Sequence, residues 1–437
     1  MIELLKGFGA ILLLVFAWMS PGQFCLALEE NLRVPTAQYA GCAIQPASCA
    51  IESVRALVPH RVIKSTPSTF EVYQYDESPL GHREPLLLIH GLVGEYHPLF
   101  RWGKLAGYLS RDQAFQQRYK LYLVRYNTRS SVKELAELFS HSLRRLAQTN
   151  HLTIVTVSLS GQIVRDAMKD PAVEQSISRV LTMGAFFRGS PLFCADWMKQ
   201  SIMKRHLSPL CRMDRWLGYK LYFSLHKNLP RDYAWDNTDG QRPAVGQSNV
   251  RSDYDTALSS PMATPRVVSS AQPGDRKFIV YAGYIHNQYV PRRHGAVRVL
   301  LDSPYTLLRT TLPAHLGEEH AALRFLNHII AGAIPGESGR SEIIYPFNDG
   351  ISPISSSLLL SDDFVAQDKV LVEEDLYNLG SHSNAKKSRL FDNIDHLTFI
   401  ESRRPKGSSV DVTDVLSPTE KPRPMFAWIV NDLLECQ

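Results

Sequence analysis

From about residue 68 onward, short apolar runs alternate with segments of helical periodicity. That alternation restricts the chain to a layered α/β architecture. Residues 85–89 (PLLLI), 120–126 (KLYLVRY), 152–157 (LTIVTV) and 180–183 are apolar in continuous runs. Strands covered on both faces of a parallel sheet have that composition, whereas a strand with one wet face alternates, as residues 70–75 do. Between the runs, residues 131–147 carry Val132, Leu135, Leu138, Leu143 and Leu146 at helical spacing, and 162–169 reads as a second helix. The rhythm breaks after Ser190. Residues 191–240 are rich in aromatics and Met, including Trp197, Met203, Trp216 and Trp235, and residues 241–275 are rich in Ser, Pro, Ala and Gly. Strand patterns resume at 277–282 (KFIVYA) and 342–345. Residues 191–275 are therefore expected to be an insertion into one sheet, a lid or cap, and not a second domain. The expected division is 1–27, an N-terminal extension 28–65, and one domain 66–437.

The apolar run 7–19 follows Lys6, precedes Ser20-Pro21-Gly22, and falls short of the roughly 20 residues that cross a bilayer. With small residues at Cys25 and Ala27 it has the layout of a secretory signal, so export to a periplasm or the medium is expected; an uncleaved membrane anchor is the first alternative, and a lipoprotein the second, which bulky Phe24 before Cys25 disfavours. Export permits disulfides. Cys42–Cys49 and Cys194–Cys211 are the local pairings, leaving Cys436 odd, and scattered free thiols stay open. The net charge of +5 is spread along the chain without a basic block, which argues against a nucleic-acid partner. His315, His320 and His328 lie near Glu318 and Glu319, but no HExxH or CxxC spacing is present, so solvated helix residues are the reading preferred to a metal site.

Four stretches carry chemistry. In Thr156-Val157-Ser158-Leu159-Ser160-Gly161, Ser158 sits between a strand and a helix, where a tight turn pushes its hydroxyl above the sheet. The flanking positions must be small; Ser160 suits, and β-branched Thr156 is less comfortable. Ser160 as nucleophile would place Gln162 at the tight position. The turn His90-Gly91-Leu92 follows the PLLLI strand, and the amides of Leu92 and Leu159 are expected to form an oxyanion hole. Asn348-Asp349-Gly350 is a turn signal that also offers a carboxylate, Asp349. Asp395-His396-Leu397 offers the base, with His382 as its rival. Serine, imidazole and carboxylate together are what nucleophilic acyl transfer needs.

These stretches, IHGLVG (89–94), TVSLSG (156–161), GAFFRGSPL (184–192), NDGISPISS (348–356) and DHL (395–397), resemble the lipases and related acyl-ester hydrolases of the α/β-hydrolase superfamily, in which the triad also runs Ser, Asp, His. The chain departs from that pattern at Thr156 and where a Pro-His pair has become Phe186-Phe187. The resemblance implies an α/β-hydrolase fold, a mostly parallel sheet flanked by helices. It also implies an acyl-enzyme mechanism with Ser158 as nucleophile, His396 as base, Asp349 as its orienting acid, and no cofactor; no metal ligands are identified, and calcium near the acid or base stays open. The expected substrate is a carboxylic ester with a lipid-like acyl group, met at a membrane or lipid interface through the aromatic insertion. Transfer of the acyl group to another alcohol, and an inactive hydrolase fold serving as an envelope binding protein, are the alternatives.

Overall fold

The computed structural model describes residues 70–92, 94–146, 151–187, 189–193, 271–285, 347–361, 373–401 and 411–435. The signal segment, the extension, all six cysteines, nearly all of the insertion, the run 342–345 and the His315–His328 group lie outside those residues.

Among the described residues, seven strands form one sheet: β1 (Glu71–Gln74), β2 (Glu84–Ile89), β3 (Tyr119–Arg125), β4 (Leu152–Val157), β5 (Ile177–Met183), β6 (Phe278–Tyr284) and β7 (Lys387–Asp392). Their spatial order is β1-β3-β2-β4-β5-β6-β7. Only β1, at the edge, runs antiparallel to its neighbour; every other pair is parallel. The apolar runs at 85–89, 120–126, 152–157, 180–183 and 277–282 all lie on strands, with bounds shifted by a few residues at most. β2 and β4 are buried on both faces, as continuous apolar runs require.

Among the described residues, eight α-helices accompany the sheet: α1 (Gly103–Leu109), α2 (Gln113–Arg118), α3 (Val132–Leu146), α4 (Leu159–Ala167), α5 (Pro171–Ser176), α6 (Ile354–Ser357), α7 (Thr398–Glu401) and α8 (Met425–Leu434). One face of the sheet (Leu87, Ile89, Ile154, Val180, Val280) packs on α3, α4 and α5. The other (Leu86, Leu88, Val155, Leu181, Tyr281) packs on α1, α2, α7 and α8. The fold class is thus the expected one, a mostly parallel sheet between two helical layers. Among the described residues no helix is long and apolar enough to cross a membrane.

Local sequence explains α3 well. Ser131 and Glu134 form a reciprocal cap: the Ser131 hydroxyl accepts from the Glu134 N–H, and the Glu134 carboxylate accepts from the Ser131 N–H at 2.9 Å. Val132, Leu135, Phe139, Leu143 and Leu146 face the core, so Phe139 takes the place expected of Leu138, which is only partly buried. Burying five such side chains contributes on the order of 10 kcal/mol before chain entropy is subtracted.

β7 and α8 have no counterpart among the expected elements. The strand reads KSRLFD, and its central Arg389 is buried. Arg389 Nη2 donates to Asp432 of α8 at 2.6 Å, Nη1 donates to Asp414 at 2.8 Å, and the guanidinium lies over the Trp428 ring. A buried charge is tolerated there because every arm of the fork finds an acceptor.

Candidate active site

Parallel strands bring their carboxyl ends to one edge: there Leu92 follows β2, Ser158 and Leu159 follow β4, His396 follows β7, and Asp349 lies beside the end of β6, where the Ile285 N–H donates to the Asn348 carbonyl at 3.0 Å. Ser158 directly follows β4 and caps α4 with φ 63° and ψ −132°. A non-glycine residue in this region carries strain of order 1–3 kcal/mol, which the strand–helix junction must impose. Its N–H is held by the Met183 carbonyl at the end of β5 (2.9 Å). Ser160 cannot compete as nucleophile: its hydroxyl is fully buried, bonded to the carbonyls of Val157 (2.8 Å) and Ile89 (3.1 Å).

The expected discomfort at Thr156 is relieved from an unexpected direction. A methyl group on Gly161, one turn into α4, would stand 3.3 Å from Thr156 Oγ1, 2.8 Å from Ala185 Cβ, and in collision with Thr182 Oγ1. The start of α4 is thus packed most tightly at Gly161, against Thr182 of β5 and Ala185, with Thr156 in the looser of the three contacts. The hydroxyls of Thr156 and Thr182, neighbours across β4 and β5, are buried without a hydrogen-bond partner among the described residues.

Asp349 and His396 meet. His396 Nδ1 lies 2.7 Å from Asp349 Oδ2, both side chains are buried, and the His396 N–H donates to the Asp349 carbonyl at 3.0 Å. Asp349 Oδ1 accepts from the N–H groups of Ile351 (2.9 Å) and Ser352 (2.6 Å), and Asn348 caps Gly350 in the same turn. The NDG stretch is a turn and a carboxylate holder at once. Asp395 does not compete as the acid: its carboxylate accepts from Leu397 N, Thr398 N and Thr398 Oγ1 at the start of α7. His382, the rival base, is exposed and precedes β7, at the opposite edge of the sheet from His396.

Gly184 links Ser158 to this pair. It follows Met183, which holds the Ser158 N–H, and has φ +57°. A Cβ there would stand 2.8 Å from His396 Nδ1 and 2.9 Å from Asp349 Oδ2. Serine, imidazole and carboxylate thus converge on the ends of β4 and β5. His396 Nε2 is buried and has no partner among the described residues, so the hydroxyl–imidazole bond itself is not made. Such bonds commonly tighten only when substrate is bound.

The His90-Gly91-Leu92 turn lies beside Ser158. A Cβ on Gly91 would be 2.8 Å from Ser158 Cβ and 3.4 Å from its Oγ, so only glycine admits this approach. Leu92 follows it, and Leu159 begins α4, where the first N–H groups have no carbonyl within their own helix. His90 shapes the turn from below. Its ring stacks on Tyr126 at 4.4 Å, its Nε2 accepts from Tyr126 N–H, and Nδ1 therefore donates to the Gly91 carbonyl at 2.7 Å. Burial holds this imidazole neutral, its pKa depressed to about 4.

Several residues that support the site have no chemical signature in the sequence. Ser352 Oγ donates to the Ala185 carbonyl (2.8 Å), Ser356 Oγ to Gly189 (2.9 Å), and Ser190 Oγ to Ile351. These bonds stitch the GAFFRGS stretch to the NDGISPISS stretch, which carries Asp349. Phe186, one of the two departures from the lipase pattern, lies nearly parallel to the His396 ring at 6.0 Å. Phe187 instead packs edge-on against Phe278 in the core. Among the described residues no group of His, Cys, Asp and Glu is placed to hold a metal ion.

No protein-family model matches the chain, and no curated protein matches it. Among solved structures, it is similar to the mature form of Bacillus licheniformis lipase BlEst2, at 13% identity over 76% of this chain and 92% of that one, with a TM-score of 0.37. Lipase 1 from Pelosinus fermentans matches at 12% identity over 82% of this chain and 100% of that one, also at 0.37. The metagenomic carboxyl esterase MGS0156 matches at 13% identity, over 82% and 80%, with a TM-score of 0.33.

Proposed function

We propose that this chain, whose fold is that of the α/β-hydrolases, hydrolyses carboxylic esters through an acyl-enzyme intermediate. The observation that carries the reading is the buried His396–Asp349 pair, wedged against Gly184 beside the strained Ser158. In this reading Ser158 Oγ attacks the ester carbonyl while His396 Nε2 takes its proton. Asp349 fixes the tautomer that leaves Nε2 free to do so. The amides of Leu92 and Leu159 receive the negative charge that grows on the carbonyl oxygen. His396 returns the proton to the leaving alcohol, and a water molecule repeats the sequence on the acyl-enzyme. No cofactor is required.

The aromatic and Met-rich composition of 191–240 supports a lipid-like acyl group, and the layout of residues 7–27 supports an exported protein. A fluorophosphonate probe, which reacts only with an activated serine, tests the reading. Wild type should label and Ser158→Ala should not; an unlabelled wild type, or labelling that survives Ser158→Ala, refutes it. Rates on p-nitrophenyl esters of increasing chain length then test the acyl group, and a preference for chains under about four carbons removes the lipid part.

A further inference from the structure

Directly after the oxyanion turn, Glu95 is buried, at 5% exposure. Its Oε1 accepts two bonds from one residue, Thr128 N–H at 3.1 Å and Thr128 Oγ1 at 2.7 Å, in the loop that follows β3. Its Oε2 is buried with no partner among the described residues. The turn itself is closed by short local bonds, Gly94 N–H to Gly91 C=O (3.1 Å) and His97 N–H to Gly94 C=O (3.0 Å), which fix its shape but not its place. Place comes from two long-range attachments. One is the His90–Tyr126 stack; the other is the Glu95–Thr128 pair, on the far side of Gly94. A buried carboxyl with one idle oxygen is a poor device for stability alone, because a bonded amide would hold the same donors without the cost of burying an ionisable group.

We infer that Glu95 is a positioning residue for acyl transfer: through Thr128 it holds the Gly91–Gly94 turn so that the Leu92 amide meets the developing oxyanion. The inference rests on the ester-hydrolase reading of Ser158, His396 and Asp349. Burial favours the neutral carboxyl and raises its pKa to about 7. The charged group that reaches it from the neighbouring loop is Arg129, which favours ionisation, while Thr128 contributes bonds. On its own segment His90 and His97 are both held neutral by burial, and Arg101 contacts His97. The sign follows. Below about pH 7 Glu95 is neutral. Above it, a negative charge sits behind a turn that must itself stabilise a negative oxygen, and Oε2 carries buried charge with no hydrogen-bond donor among the described residues. Turnover should therefore decline as pH rises through that value.

The test is steady-state hydrolysis of p-nitrophenyl acetate from pH 5 to 9 by the full-length protein, with fluorophosphonate labelling in parallel. Glu95→Ala should lower kcat by at least about tenfold with KM within about twofold, approaching the 10²–10³-fold cost of losing an oxyanion donor. Glu95→Gln, which keeps an acceptor for Thr128 without a titrating group, should recover most of that loss and abolish the decline above pH 7. Thr128→Val, which removes only the hydroxyl bond, should give a smaller kcat loss of the same kind, and serves if Glu95→Ala does not fold. An active wild type whose kcat, KM and pH profile are matched by Glu95→Ala, or by Thr128→Val where the alanine variant is unfolded, overturns this inference alone. So does a Glu95→Gln profile that keeps the alkaline decline. A wild type that neither labels nor hydrolyses overturns the hydrolase reading together with this inference.

Discussion

Asp349→Asn separates orientation from charge in the proposed base. The wild-type carboxylate has two distinct faces: Oδ1 receives two backbone N–H groups, from Ile351 and Ser352, and Oδ2 receives His396 Nδ1. An asparagine must turn its carbonyl toward the two N–H donors, since an NH2 there would meet donors only. The NH2 group then faces His396 Nδ1 and donates to it, which leaves the imidazole proton on Nε2. In that tautomer the ring cannot accept from Ser158. Loss of the working tautomer costs about 10⁴ in kcat in a serine triad, equivalent to about 5 kcal/mol of barrier. Folding should change far less. The three bonds to the carboxylate become neutral ones while the cost of burying its charge is removed, a net difference on the order of 1 kcal/mol. The assay is kcat and KM on p-nitrophenyl acetate, with urea unfolding alongside. A kcat reduced less than tenfold would refute the assignment of Asp349 as the orienting acid. A stability loss of several kcal/mol would mean that the variant had disturbed the turn, not the tautomer.

Two other substitutions test how the site is held. Gly161→Ala should overpack the contact with Ala185 and Thr182, with a loss of about 1–3 kcal/mol by urea unfolding and slower fluorophosphonate labelling; unchanged values in both would show that the elbow's clearance lies elsewhere. Asp432→Ala should cost about 3–5 kcal/mol, because it strips the buried Arg389 of its bidentate partner and takes an acceptor from Lys387 and Tyr281. A loss under about 1 kcal/mol would mean that Asp414 and Glu420 alone satisfy the guanidinium.

What could be read from the chain was whatever local physics dictates. β2 and β4 were legible because burial on both faces leaves no polar residue to break the run. The turns at His90-Gly91 and Asn348-Asp349-Gly350 were legible because tight backbone geometry restricts residue type within three or four positions. β7 was hidden for the converse reason. Arg389 breaks the apolar pattern and makes the segment look solvated, and the groups that neutralise it, Asp414 and Asp432, lie 25 and 43 residues away.

The elbow shows the same limit at the site itself. Thr156 violates the local rule for a residue two before the nucleophile, and a sequence reading must count that against the motif. The structure compensates on another element: Gly161 supplies the clearance, and the group it clears most tightly is Thr182, on β5. Glu95 and Thr128 are a second such pair, one on each side of β3 in sequence and joined only in space. Substitutions in this site are therefore expected to couple across elements. Thr182→Ala should relax part of the demand for glycine at 161, because it removes the hydroxyl that a Cβ there meets first, whereas Thr156→Gly should not, since Thr182 and Ala185 would still obstruct that Cβ.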